Sequence, residues 1–261
     1  MRTVRTTAAL RVALGPGRVG LVPTMGAFHG GHLSLIHAAR VQCDVVVVSL
    51  FVNPAQFGPH EDLDRYPRDV ERDARLAAEA GVDLFFVPSV AEMYPPGFAT
   101  WVDVEATGGE ASARPGHFRG VATVCLKLFN LVRPDVAFFG QKDAQQVAVI
   151  RRMVRDLNLP LDVRVLPTVR DEDGLALSSR NAHLSDQERA QALALPHALE
   201  AGRSAHVLGS DPVQAATAAL NGLEPEYVEV LELDGATILA AAARVGSTRL
   251  IDNVILEGEI R

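Results

Sequence analysis

Short apolar runs and helix-periodic stretches alternate through the first two thirds of the chain. The runs at 21–22, 45–50, 84–87, 136–139 and 163–166 are dominated by Val, Leu and Phe and read as strands. Between them, residues 33–41, 70–80, 121–131 and 144–157 carry helical spacing, and Gly81 stands where a C′ glycine closes the second of these. Strands that are apolar throughout, alternating with helices, predict a parallel sheet covered on both faces. Ligands of such sheets bind beyond the carboxyl ends of the strands.

The rhythm changes after about Asp171. Ser185-Asp186-Gln187-Glu188 is a capping-box pattern that opens an alanine-rich helix. Gly209-Ser210-Asp211-Pro212 reads as a linker before a helix at 213–220, and 227–231 and 250–255 read as strands. These features predict a nucleotide-scale α/β domain over residues 1–170 and a smaller α+β domain over 171–261. The switch between them falls between 168 and 182. No internal repeat or low-complexity tract interrupts either part.

Composition narrows the class. A chain of 261 residues, 48% hydrophobic, is long enough to bury one large core or two smaller ones. Its 25 basic and 32 acidic residues leave a net charge of −7, the wrong sign for a nucleic-acid partner. The two cysteines, Cys43 and Cys125, lie in apolar surroundings without a CxxC neighbour and read as buried thiols, not zinc ligands. The start, Met1-Arg2-Thr3-Val4-Arg5, lacks the apolar core of a signal peptide. The longest apolar stretch, 45–52, is broken by Ser49 and is far short of a membrane span. A soluble cytoplasmic protein without a membrane partner is expected.

Five segments carry candidate chemistry. The first, Pro23-Thr24-Met25-Gly26-Ala27-Phe28-His29-Gly30-Gly31-His32, runs from a strand through a glycine-rich turn into a helix and fits H-x-G-H. A helix N-terminus offers unpaired N–H groups to an anion, and imidazoles at i and i+3 share one face of the first turn. The dipole there biases His29 and His32 toward the neutral form. In the second, Phe51-Val52-Asn53-Pro54-Ala55-Gln56-Phe57, Pro54 holds Asn53 extended and aims two amides, suited to a ligand with carboxylate and hydroxyl groups. The third, Arg114-Pro115-Gly116-His117-Phe118-Arg119-Gly120, gathers cations before a helix. The fourth, Phe138-Phe139-Gly140-Gln141-Lys142-Asp143-Ala144-Gln145-Gln146, offers Lys142 as a point charge for a phosphate. The fifth, Asp173-Gly174-Leu175-Ala176-Leu177-Ser178-Ser179-Arg180-Asn181, has two hydroxyls and a guanidinium for an anion clamp on a movable loop. For a metal, Asp69 and Asp73 at i, i+4 and Asp143 are the carboxylates near these loops; Mg²⁺ needs only one or two beside substrate phosphates.

With Tyr66-Pro67-Arg68 and the late Thr248-Arg249-Leu250-Ile251-Asp252-Asn253, these ordered motifs resemble the pantothenate synthetase (pantoate–β-alanine ligase) family across essentially the whole chain. The resemblance implies a Rossmann-like nucleotidyltransferase domain with a parallel sheet, plus the smaller C-terminal domain as lid and dimer-associated unit. It implies condensation of pantoate with β-alanine, with ATP as substrate, Mg²⁺ as cofactor, pantoyl adenylate as intermediate, and a homodimer.

Carried over residue by residue, it assigns the ATP site to Met25, Gly26, Ala27, Phe28, His29, Gly30, Gly31, His32, Gly140, Gln141, Lys142, Asp143, Val169, Leu177, Ser178, Ser179 and Arg180. Within these, His32 takes the proton-donor role, and His29, Lys142, Ser178, Ser179 and Arg180 complete the catalytic set. Gln56 matches a residue touching pantoate and β-alanine and Gln146 one touching pantoate, joined as substrate-binding residues by Asn53, Arg114 and His117, and Asp73 is the metal candidate. The sequence departs from the family where Gly30 and Gln141 replace common glutamates and Ala144 a common aromatic. A different H-x-G-H nucleotidyltransferase, or a non-catalytic ATP-binding module, would share the first motif but has no reason to keep the amide set of Asn53, Gln56 and Gln146.

Overall fold

The computed structural model describes residues 1–260. Six strands, β1 (Arg2–Val4), β2 (Val19–Thr24), β3 (Val45–Leu50), β4 (Leu84–Phe86), β5 (Val136–Gly140) and β6 (Asp162–Leu166), pair in the order β1-β4-β3-β2-β5-β6. Every pairing is parallel. Helices α1 (Thr7–Ala13), α2 (Gly30–Gln42), α3 (Val70–Glu79), α4 (Val90–Met93), α5 (Gly109–Ala113), α6 (His117–Val132) and α7 (Ala144–Asp156) connect and cover it.

Both faces are buried, and the period of two divides each strand between them. Leu21, Val47, Phe86, Ala137 and Phe139 enter one core, with Leu128 and Phe129 of α6 and Ile150 of α7. Val22, Val46, Val48, Phe85 and Phe138 enter the other, with Ile36 and Ala39 of α2 and Ala77 of α3. This is why the strands read as unbroken apolar runs. Gly81 has φ +83, as its place after α3 required, and both cysteines are free and buried.

Beyond β6, helices α8 (Asp186–Ala192), α9 (Ala194–Val207) and α10 (Pro212–Ala219) pack on a separate antiparallel sheet. Its strands are β7 (Pro225–Leu233), β8 (Ala236–Val245) and β9 (Thr248–Gly258), in the order β7-β8-β9. Leu195, Leu199, Ala216, Leu239 and Leu250 form its core. The capping box is present: Ser185 and Glu188 bond each other's backbone N–H.

Two strands, and the short helices α1, α4 and α5, lacked a sequence signal. β1 is three residues long, with two exposed side chains, and is a strand because it pairs with β4 at the sheet edge. β8 carries the run Ala240-Ala241-Ala242-Ala243, which intrinsic propensity assigns to helix. Pairing on both sides overrides that preference.

Gly202 lets α9 sit close to β8 and to the start of α10. A Cβ at Gly202 would stand 2.3 Å from Leu239 Cδ2 and 2.7 Å from the Pro212 carbonyl oxygen. Overpacking of this kind costs about 1–3 kcal/mol, above the roughly 1 kcal/mol of helix propensity that alanine adds. Gly202→Ala should therefore lower the urea midpoint, and an unchanged or raised midpoint would show that the crossing has slack.

Candidate functional site

The strand order reverses at β2, whose neighbours β3 and β5 lead away in opposite directions. The turn from β2 into α2 lies at this switch point, where doubly wound sheets hold ligands. Gly26 and Ala27 both take positive φ, +87 and +52, so the turn is tight and its backbone is partly strained. Asp73 of α3 holds it there. Its fully buried carboxylate accepts N–H groups from Ala27 (2.7 Å) and Phe28 (2.8 Å). Arg72 donates to the Phe28 carbonyl from the same helix (3.0 Å). Asp73 is thus not available to a metal as its spacing suggested: both oxygens are bonded, and it does not line the cavity. Asp69 is also occupied, as the N-cap of α3.

His29 is the N-cap of α2, and its Nδ1 accepts the Gly31 N–H (3.1 Å). The neutral ring therefore carries its proton on Nε2, free to donate toward the cavity. The His32 ring lies 4.2 Å from that of His29, centroid to centroid, and its Nδ1 is buried without a partner. Burial, joined by the Lys142 charge, pushes His29 down to about 4. Burial, the neighbouring His29 and Lys142 push His32 down to about 3. The neutral state expected of both rings holds, but burial is the largest cause.

Lys142 follows β5, with Asp143 at 3.6 Å. Asn253 of β9 pins this turn by donating to the carbonyls of Gln141 (3.0 Å) and Lys142 (2.9 Å). The fifth motif closes over the first. Ser179 Oγ donates to the Ala27 carbonyl (3.1 Å), so its hydroxyl proton is committed to the turn. Ser178 Oγ accepts the Arg180 N–H (3.3 Å) and keeps its own proton to donate. Arg180 is bidentate on Asp62 through Nε (2.6 Å) and one terminal nitrogen (2.9 Å), and lies over the Tyr66 ring.

The amide group is equally fixed. Asn53 is buried; its Nδ2 donates to Gln56 Oε1 (3.0 Å) and to the Gly120 carbonyl (3.2 Å), and its Oδ1 accepts from Tyr94 (2.8 Å). A Cβ at Gly120 would come 2.2 Å from the Ala55 carbonyl oxygen, so only glycine lets α6 approach this turn. His117 Nδ1 donates to the Gln56 carbonyl (2.9 Å), while Nε2 faces an Arg114 nitrogen (3.1 Å). Burial and the Arg114 charge push His117 down to about 4. Arg114 is bidentate on Glu61, at 2.8 and 2.6 Å, and also reaches Glu110 (3.3 Å). Gln56 keeps its Nε2 for a ligand, and the Gln146 side chain makes no hydrogen bond among the described residues. Arg114 and His117, expected to touch substrate, stand on the cavity wall and also hold the turn that carries Gln56.

A cavity of about 300 Å³ joins these groups, lined from both sheets. Met25, His29, Gly31, His32, Gly140, Lys142, Asp143, Val169, Leu177, Ser178, Ser179 and Arg180 line it, as do Asn53, Gln56, Gln146, Arg114 and His117. Gly26, Ala27, Phe28, Gly30 and Gln141 do not; the first three shape the turn from behind. Sequence reasoning missed Thr168, whose buried hydroxyl has no partner at the cavity wall, and the bracing residues Asp62, Glu61 and Glu110. Nothing local in the sequence marks the bracing residues. Their partners lie 53 or more residues away, Glu110–Arg114 excepted.

A parallel α/β sheet with a histidine- and lysine-bearing anion pocket at its switch point, facing an amide-lined wall, defines a nucleotide-binding enzyme class. The profile of the pantoate-β-alanine ligase family matches residues 1–255, and the chain belongs to that family. The pantothenate synthetase of Pelotomaculum thermopropionicum is 52% identical over 95% of each chain. The crystal structure of pantothenate synthetase from Thermus thermophilus matches with TM-score 0.94 at 49% identity, over 98% of this chain and 99% of that one. A pantoate-β-alanine ligase from Francisella tularensis, complexed with beta-gamma ATP and β-alanine, matches with TM-score 0.84 at 32% identity, over 99% of each.

The three depressed histidines carry a pH signature. The unfolded chain binds protons at the ordinary histidine value of 6.5, and the folded chain only near 3 to 4. Between those limits the unfolded state holds more protons, so stability rises with pH and is lost as pH falls below about 6.5. His32→Asn should lose less Tm between pH 7 and pH 4.5 than the unaltered chain, and parallel Tm profiles would refute a buried neutral His32.

Proposed function

We propose that this chain condenses pantoate with β-alanine, using ATP and releasing AMP and pyrophosphate, through a pantoyl adenylate. The observation that carries this reading is that one cavity joins the Lys142–histidine end to the Gln56–Gln146 end. Family membership supplies the substrates, and the Francisella relative binds an ATP analogue and β-alanine in a fold of the same topology.

A carboxylate does not condense with an amine without activation. The pantoate carboxylate, oriented by Gln56 Nε2 and Gln146, attacks the α-phosphorus of ATP and displaces pyrophosphate. Charge builds on the phosphoryl oxygens in that step. Lys142, His29 Nε2–H and the Ser178 hydroxyl supply fixed donors there, and His32 donates as a neutral imidazole, not as an acid. Arg180 adds Nη1, the nitrogen not engaged with Asp62. The β-alanine amine then attacks the acyl carbon and expels AMP. The lid formed by 178–180, tied to the turn through Ser179, keeps water from the adenylate.

For Mg²⁺, no cluster of three ligating side chains exists among the described residues. Asp143 is a half-exposed carboxylate on the cavity wall, which fits a cation that takes most ligands from phosphates and water. Bound there, Mg²⁺ would neutralise triphosphate charge. We read residues 1–170 as the nucleotide- and pantoate-binding domain and 171–261 as the smaller lid domain, supported by the reach of Asn253 to the Lys142 turn. A cytoplasmic homodimer is our further reading. The two free cysteines suit a reducing compartment, and no helix of the described residues is long and apolar enough to cross a membrane.

Pyrophosphate exchange measured with pantoate, without it, and with β-alanine added tests the reading; exchange indifferent to pantoate would overturn it. Lys142→Ala should reduce pantoate-dependent exchange about 10²–10³-fold, the usual effect of removing one preorganised donor. Gln56→Ala should raise the KM for pantoate at least tenfold more than that for ATP, and equal losses would remove Gln56 from the pantoate wall.

A further inference from the structure

Between α5 and β9 lies a buried carboxylate that no step above uses. Glu110 is 7% exposed and accepts four hydrogen bonds. Two come from Arg249 of β9, at 2.6 and 3.0 Å, one from Tyr227 of β7, at 3.0 Å, and one from Arg114, at 3.3 Å. Burial opposes its charge, but the Arg249 bonds and the two arginine charges hold it below the usual carboxylate range. Arg114 then touches the Gln56 carbonyl (3.3 Å) and the back of His117, whose Nδ1 meets the same carbonyl. The antiparallel sheet is thereby connected to the backbone of Gln56 through Arg249, Glu110 and Arg114.

We infer that Glu110 is a positioning residue that ties the seating of the antiparallel sheet, through Arg249, to the orientation of Gln56 toward pantoate. Glu110 and Arg249 stand on the cavity wall, but all four bonds to Glu110 are spent on the protein, and Glu110, together with Glu61, fixes the guanidinium that fixes the turn. Three observations favour this over a plain structural ion pair. First, Arg249 and Arg114 are both mostly buried, with side chains 17% and 12% exposed, and although Glu226 and Glu61 also pair with them, Glu110 is the one carboxylate bonded to both. Second, the bonds run in series: Arg249 reaches Gln56 only through Glu110 and Arg114. Third, the β2–α2 turn of the ATP end is held from outside the antiparallel sheet, by Asp73 of α3, and Asn253, though on β9 with Arg249, reaches the Lys142 turn by two bonds of its own that do not pass through Glu110. Loosening Glu110 therefore acts at the pantoate end and spares the ATP end.

The inference rests on the pantoate reading, and the test separates the two. Steady-state kinetics with Glu110→Gln, Arg249→Met and the double variant give KM for each substrate. Each single change should raise the pantoate KM roughly tenfold, within the range usual for coupling between sites, and leave the ATP KM within about twofold. The double variant should be no worse than the worse single one, because the contacts act in series. Arg249→Lys, which keeps the charge, should recover part of the loss, and its near-normal ATP KM reports a folded chain. Equal changes in both KM values, multiplicative effects in the double variant, or an unmoved pantoate KM would each overturn the inference. Absence of pantoate-dependent exchange in the unaltered chain would instead overturn the functional reading itself.

Discussion

The grip of the Asp73 carboxylate on two consecutive backbone N–H groups is the constraint on which the site depends. Residues 26–28 turn sharply, with a non-glycine residue at positive φ, and such a turn is unfavourable unless its surroundings fix it. Two short bonds to one buried charge do so. The carboxylate, fully out of water, also needs those donors, since a buried charge without them is unfavourable by an amount on the order of several kcal/mol. Turn and helix α3 therefore stabilise each other. The consequences spread outward: the turn aims His29 as N-cap, His29 sets its own tautomer through Gly31, and the turn carbonyls receive Ser179. Three sequence-distant segments share one geometry because one side chain has two oxygens.

The same logic, repeated with other residues, organises the opposite wall. Glu61, Arg114, Glu110 and Arg249 alternate in sign, and each is mostly buried. Exposed pairs such as Arg152–Asp156 contribute little, because water and salt compete for both partners. In the inner chain each charge has a bidentate partner, Arg114 with Glu61 and Arg249 with Glu110, and each arginine has a second carboxylate as well, so the members are positioned from two sides. Such networks specify position more than they add stability. Here the positioned object is a single carbonyl, that of Gln56, held by His117 and Arg114 together.

The fold was legible wherever a local pattern and tertiary context agree. Strands β2 to β6 and the four long helices of the parallel layer lie where the apolar runs and helical spacing put them, apart from a few residues at their ends. β8 was illegible because four alanines in a row carry a helix preference that only pairing on both flanks defeats. The site was legible as motifs but not as roles. His29, Lys142, Ser178 and Gln56 present usable donors to the cavity. Asp73, Arg114, His117 and Ser179 have the right chemistry for ligands but engage the protein with it, although the last three also stand on the cavity wall. No spacing rule distinguishes these two fates, since the deciding partner of Asp73 is 46 residues away and that of Ser179 is 152.

That division has an electrostatic consequence for the nucleotide end. Among the residues the sequence assigned to the site are three histidines, two arginines and a lysine, a strongly cationic set at face value. In the structure the histidines are neutral because burial excludes the second proton, Arg114 is neutralised by Glu61 and Glu110, and Arg180 by Asp62. Arg244 and Arg249, also on the wall, are paired with Glu226 and Glu110, so what remains for a polyphosphate is the α2 N-terminus, equivalent to about half a charge, Arg65 on the wall, and Lys142, itself only loosely paired with Asp143. Burial of Lys142 to 19% exposure strengthens its field relative to a surface lysine. In the reaction proposed above, a site with little surplus positive charge would bind the triphosphate without trapping the pyrophosphate. The same restraint explains why the turn is built from backbone N–H groups and neutral imidazoles: they stabilise charge as it develops but hold a departing anion less tightly than guanidinium groups would.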